Sequence, residues 1–108
     1  MRAGKLRQRV TLLKPVVTGQ DDYGEEEVEY QAQRTVWAQV EPLEGREFME
    51  ARLQTQELSH RIRMRYQPDI SLHPSWRIQH DGRTFLIESV ANRMERDREW
   101  VVMCRENV

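Results

Sequence analysis

Cysteine is almost absent from this chain of 108 residues: Cys104 stands alone. A disulfide framework within the chain is thereby excluded, and folding in a reducing cytoplasm is expected. Long apolar runs are missing too. None approaches the roughly 18 to 20 residues of a membrane span, and the opening Met1-Arg2-Ala3-Gly4-Lys5 is not followed by a signal-peptide stretch, so neither secretion nor membrane insertion is expected. Charge of one sign is lacking as well. Lys and Arg number 17 against 18 Asp and Glu, a formal net charge of −1, so no global field recruits nucleic acid or an anionic membrane and any DNA contact has to be local. Apolar residues make up 38% and charged residues 32%, which implies a small core under a heavily charged surface. A chain this short suits one domain spanning residues 1–108, because two halves would each bury too little surface to fold. No repeat of solenoid period occurs.

Catalytic and metal-binding patterns are equally scarce. His60, His73 and His80 lie in unrelated contexts, and neither CxxC nor HExxH spacing occurs. His60 shares a strand face with apolar residues and reads as a satisfied, half-buried histidine, while His73 and His80 read as turn and strand-end residues. The acidic tract Asp21, Asp22, Glu25, Glu26 and Glu27 has hard oxygen ligands. It lacks the alternating acids, sixth-position glycine and twelfth-position Glu of a calcium loop, and reads as a solvated loop. Ser59 and His60 are adjacent, so strand alternation sends them to opposite faces, and GxSxG is absent. Gly45-Arg46 and Gly82-Arg83 are ordinary turn text, not phosphate loops. The sequence therefore predicts no catalytic residue, no metal site and no cofactor.

Apolar and polar residues alternate where order is expected. Leu6, Val10 and Leu12 take one face of a strand over residues 6–14 that Pro15 ends. Residues 16–29 are rich in turn formers and like charges, and read as a long exposed loop or an open hairpin tip. Val36, Ala38 and Val40 alternate with Thr35, Trp37, Gln39 and Glu41 in a second strand over 34–41, ended by Pro42. Between residues 43 and 56 the period lengthens. Phe48, Met49, Arg52 and Leu53 stand three and four apart, with Glu44, Glu47 and Glu50 towards the front, which fits one short amphipathic helix. Strict alternation returns over 58–66, with Leu58, His60, Ile62, Met64 and Tyr66 opposite Ser59, Arg61, Arg63 and Arg65. Strands over 76–80 and 83–90 flank Asp81-Gly82, a two-residue hairpin signal. After a charged turn over 93–98, a last strand over 99–105 sets Trp100, Val102 and Cys104 against Val101 and Met103. The sum is an all-β, mainly antiparallel fold of about six strands, a small barrel or sandwich with one long loop and one short helix.

Arg61, Arg63 and Arg65 form a basic stripe, and Tyr66 and Trp76 offer surfaces on which single-stranded nucleic acid could stack. The same stripe equally suits pairing with acids such as Glu41 and Glu88, or with a neighbour's acidic loop, because a guanidinium binds carboxylate and phosphate alike.

Five ordered blocks resemble one family. Met1-Arg2-Ala3-Gly4-Lys5-Leu6-Arg7-Gln8-Arg9-Val10-Thr11 is similar to the opening of phage head-tail joining proteins, also called head-closure or stopper proteins. Asp22-Tyr23-Gly24-Glu25 resembles the turn of their first long loop. The run from Val36-Trp37-Ala38-Gln39-Val40 to Gly45-Arg46-Glu47 resembles their central block, His60-Arg61-Ile62-Arg63-Met64-Arg65-Tyr66 a histidine-led strand, and Gly82-Arg83-Thr84-Phe85-Leu86-Ile87-Glu88-Ser89-Val90 with Asn92 their closing hairpin. The resemblance implies a non-enzymatic β-barrel that assembles with copies of itself as a ring beneath portal and adaptor proteins. Such a ring closes the filled head and docks a tail-terminator or tail completion protein. It further implies DNA passing through the ring without sequence-specific binding, no membrane, residence in the virion, and assembly in the host bacterial cytoplasm. Subunit or partner contacts are expected at Asp21, Asp22, Tyr23, Glu25, Glu26, Arg46, Glu47, Phe48, Arg61, Arg63 and Arg65. In such proteins the segment corresponding to 43–56 faces the channel, which places Glu44, Gly45, Arg46, Met49 and Arg52 there. The helical spacing of Phe48, Met49 and Leu53 also fits a folded packing element.

Overall fold

Apolar residues recur at every second position along six stretches, and one buried cluster gathers them. It contains Val10 and Leu12, Ala38, Ile62 and Met64, Ile78, Phe85 and Ile87, and Trp100, Val102 and Cys104. The computed structural model describes residues 6–54 and 57–108. Met1 to Lys5 of the opening block, and Thr55 and Gln56 closing the helical segment, lie outside the described residues. The elements are β1 (Gln8–Gln20), β2 (Glu26–Pro42), α1 (Gly45–Leu53), β3 (His60–Arg65), β4 (Arg77–His80), β5 (Arg83–Asn92) and β6 (Glu99–Asn107). Every pairing is antiparallel, in the order β1-β2-β3-β6-β5-β4. The sheet closes because Thr11, Leu12 and Leu13 pair with Gln79, Ile78 and Arg77 of β4. The result is an irregular six-stranded barrel rather than a sandwich, and side chains of all six strands meet inside it.

The two strands of the first hairpin run further than their sequence suggests. β1 passes through Pro15 to Gln20, and β2 begins at Glu26, so residues expected in a long loop are paired as far as Gln20↔Glu26. Only the open-hairpin alternative survives, with its tip narrowed to residues 21–25. Beyond Leu13, β1 has no second partner strand among the described residues, and a proline on an open edge forfeits no ladder bond. Residues 14–20 and 26–33 thus form a two-stranded ribbon that leaves the barrel. Its register shifts between Leu12 and Leu13 and between Val17 and Gly19, irregularities that bend and twist a ribbon.

Asp81 and Gly82 both take left-handed backbone angles (φ 50° and 76°) between β4 and β5, as a tight two-residue hairpin requires. α1 lies outside the barrel on a second small cluster, where Leu43, Ala51 and Leu58 pack with Met103.

Candidate interaction surfaces

The arginine stripe on β3 is largely spent inside the molecule. Arg61 Nη2 donates to Glu47 Oε2 at 2.7 Å, and its Nη1 lies 3.7 Å from Glu41 Oε2, tying α1 and β2 to β3. Arg63 Nε lies 3.5 Å from Glu41 Oε1 and its Nη1 3.9 Å from Glu99 Oε1. Glu99 is buried and also accepts from Arg93 Nη1 at 3.2 Å. Arg63 Nε and Glu99 Oε1 are buried without a hydrogen-bond partner, so Coulomb attraction alone compensates them at these lengths. The expected pairing with Glu41 is present. Glu88 instead lies 3.5 Å from Arg105. Arg65 is exposed and has no ion pair among the described residues.

The stacking surfaces expected beside this stripe are largely withdrawn from solvent, Tyr66 being half-buried. Trp76 is buried, and Tyr66 packs edge-on against Trp100 with ring centroids 5.4 Å apart. The exposed tryptophan is Trp37, 52% accessible, with the Arg9 guanidinium 4.8 Å above its ring. Its position opposite buried Ala38 in the alternation is the signal that marks it in the sequence.

At the ribbon's tip, Asp21 Oδ1 accepts from the backbone N–H groups of Tyr23 and Glu25, both at 2.9 Å, and Gly24 supplies a φ of 83°. Asp21 thus shapes the turn. Asp22, Tyr23, Glu25 and Glu26 project into solvent, Tyr23 being 93% accessible.

On α1, Ala51 is the buried residue, and Phe48, Met49 and Leu53 are exposed at 36%, 58% and 80%. Of the two readings of this stripe, packing element or outward-facing segment, the outward one holds, because the short Ala51 side chain lets the helix sit on Leu43 and Leu58 while its larger residues point away. Arg52 lies over the Phe48 ring at 5.9 Å, and Arg46 is 4.0 Å from Glu50. The cleft beneath the helix, about 340 Å³, is lined by Leu43, Glu47, Glu50, Ala51, Leu58 and Met103 among others. Glu44 and Gly45 begin the helix, Gly45 with φ 56°.

Ser59 and His60 correct one expectation: they do meet, Oγ to Nδ1 at 2.8 Å. Ser59 precedes β3, so alternation does not govern it. The wiring opposes nucleophilic chemistry all the same. Arg83 Nη2 lies 3.2 Å from His60 Nε2, and a guanidinium only donates, so Nε2 is the acceptor and Nδ1 carries the proton. Ser59 Oγ then accepts from Nδ1–H and also from the Glu106 N–H at 2.8 Å, so no base is aimed at its proton. Arg83 is held in turn by Glu106 Oε1 at 2.6 Å. Burial, then the neighbouring Arg83 charge, lowers the His60 pKa, with Glu106 opposing. His73 accepts from the Ser75 N–H, and His80 bonds the Arg9 carbonyl. Among the described residues no group of three or more His, Cys, Asp and Glu side chains is placed to hold a metal ion, and no helix is long and apolar enough to cross a membrane.

The profile of the phage head completion protein family matches residues 1–107. Two solved structures share the fold. One is the solution structure of a protein from Shigella flexneri 2a, 27% identical, covering 100% of this chain and 98% of its own with a TM-score of 0.71. The other is a chain from the virion of a native gene transfer agent particle, 24% identical, covering 95% and 96% with a TM-score of 0.67. No curated protein matches the chain.

Proposed function

Since this chain belongs to the phage head completion protein family, we propose that it is a structural subunit of the head-tail connector of a tailed phage or prophage, forming a ring that closes the filled head and docks the tail. The observation that carries this reading is the family match along nearly the whole chain. Two features of the molecule support it. A closed barrel presents two elements with little packing of their own, the acidic ribbon and α1 with Phe48, Met49 and Leu53 exposed, and exposed apolar residues gathered on one element suit protein contacts. The polar groups around Ser59 and His60 are occupied by one another, which suits a non-enzymatic role.

In this reading α1 is the channel-side element, with Glu44, Gly45, Arg46, Met49 and Arg52 lining the opening, while Phe48 and Glu47 meet a neighbouring subunit or adaptor. DNA passes without being gripped, in keeping with a net charge of −1. The alternative, a nucleic-acid-binding barrel, loses its main support because Arg61 and Arg63 are engaged by Glu41, Glu47 and Glu99.

Filled heads isolated from a phage lacking this chain provide the test. Such heads should release their DNA to nuclease and fail to join purified tails, and adding the purified chain should restore both. Met49→Ser with Leu53→Ser should leave the barrel folded and reduce the restoration. Heads that keep their DNA and join tails without the chain would refute the proposal.

A further inference from the structure

We infer that the ribbon of one copy docks on the Trp37 face of the next copy, joining two different surfaces of the same chain. This rests on the ring assembly proposed above and names the contact that builds it. The ribbon is an edge-exposed piece of sheet: among the described residues, beyond Leu13 and before Arg34 its strands pair only with each other. Two strands alone are marginal in water, and this pair exposes Val17, Val28 and Tyr23. Its charge is lopsided. Asp21, Asp22, Glu25, Glu26, Glu27 and Glu29 stand against Lys14, so five of the negative charges on residues 14–33 are unbalanced; the whole chain carries −1, which leaves four net positive charges on the rest.

The complement lies on the outer side of β1, β2 and β3. Arg9 pairs in register with Trp37, and one step past the Ala38↔Met64 pair Trp37 comes level with Arg65. All three alternate with buried residues and so point outward together. Arg7, Gln8, Gln39 and Val40 line a cleft of about 440 Å³ on the same strands. The acid on this face, Glu41, is already engaged by Arg61 and Arg63. An exposed tryptophan between arginines is the composition of an energetic centre of an interface, and its charge is opposite to the ribbon's. The ribbon continues the very strands that form the face, so it cannot fold back onto its own without breaking their ladder. The occupant is therefore a second copy. Because each subunit uses each surface once, the contact is heterologous and propagates, closing as a ring where the rotation permits.

Sedimentation of the full chain over a concentration series at low salt tests this with two reversals. One changes the ribbon (Glu26→Lys, Glu27→Lys, Glu29→Lys) and the other the face (Arg9→Glu, Arg65→Glu). The wild type should associate, and each reversal should weaken association on the order of tenfold or more, since about 1.4 kcal/mol suffices for a factor of ten. An equal mixture of the two should reassemble, because each then meets its opposite charge, and that recovery also shows both variants to be folded. If the wild type associates and either reversal associates equally well, the contact is wrong while ring assembly stands. A wild type that stays monomeric throughout overturns the contact too, and ring assembly is then decided by the restoration of filled heads. Retention of DNA lost on reversing Arg9 and Arg65, with association unchanged, would make this face a nucleic-acid surface instead.

Discussion

His60 sits where a strand's inner face meets a polar seam, with its ring edge-on to Phe85 at 4.9 Å between centroids and its nitrogens held by Ser59 and Arg83. The half-buried histidine was legible in the alternation of Leu58, Ile62 and Met64. Its partners were not, because Arg83 and Glu106 arrive from strands distant in sequence. Burial and Arg83 hold its pKa below the ordinary 6.5, so the unfolded chain binds more protons than the folded one as pH falls past that value, and stability declines with pH there. Glu106 acts in a lower window: Arg83 holds its carboxyl below the ordinary 4.5, a stabilisation present above that value and lost as pH falls through the folded pKa. Urea midpoints should therefore drop between pH 7 and 5 and again in stronger acid. His60→Gln should flatten the first decline and leave the second, and an unchanged first decline would contradict the assignment. Cys104, pushed up to about 12 by burial, stays a thiol throughout.

Individual elements differ in how plainly the sequence announces them. β3, the β4-β5 hairpin and β6 are visible because each alternates strictly or is joined by Asp81-Gly82. The ribbon was hidden, since turn formers and carboxylates fill residues that pair only with one another and face no core, so neither periodicity nor burial marks them. α1 was visible in its spacing while its packing face was left open: size would favour Phe48 and Leu53 as anchors, yet Ala51 makes the contact. Since the main core draws nothing from residues 16–29, replacing that stretch with Asn-Gly should leave the barrel intact. Calorimetry should show the melting temperature moving by less than about 5 °C, the equivalent of roughly 1 kcal/mol in a domain of this size. A larger loss would mean the ribbon holds the barrel together.

One cluster unites all six strands, so opening the sheet exposes the main core as a whole. Tryptophan fluorescence, which reports buried Trp76 and Trp100, and far-UV circular dichroism should lose their signals in a single coincident transition. Phe85→Ala, at a fully buried position, should lower stability by about 3–5 kcal/mol without separating the two signals. Closure also orders events during synthesis. β1 and β2 are neighbours and can pair as soon as both have emerged, whereas the barrel is completed only when β6, the last strand made, arrives to bridge β3 and β5. Until then the nascent chain carries open strand edges of the kind that seed aggregation. The ribbon's carboxylates repel the same ribbon on other unfinished chains, acting as gatekeepers. Copies are thereby kept apart at the stage when they have edges to share.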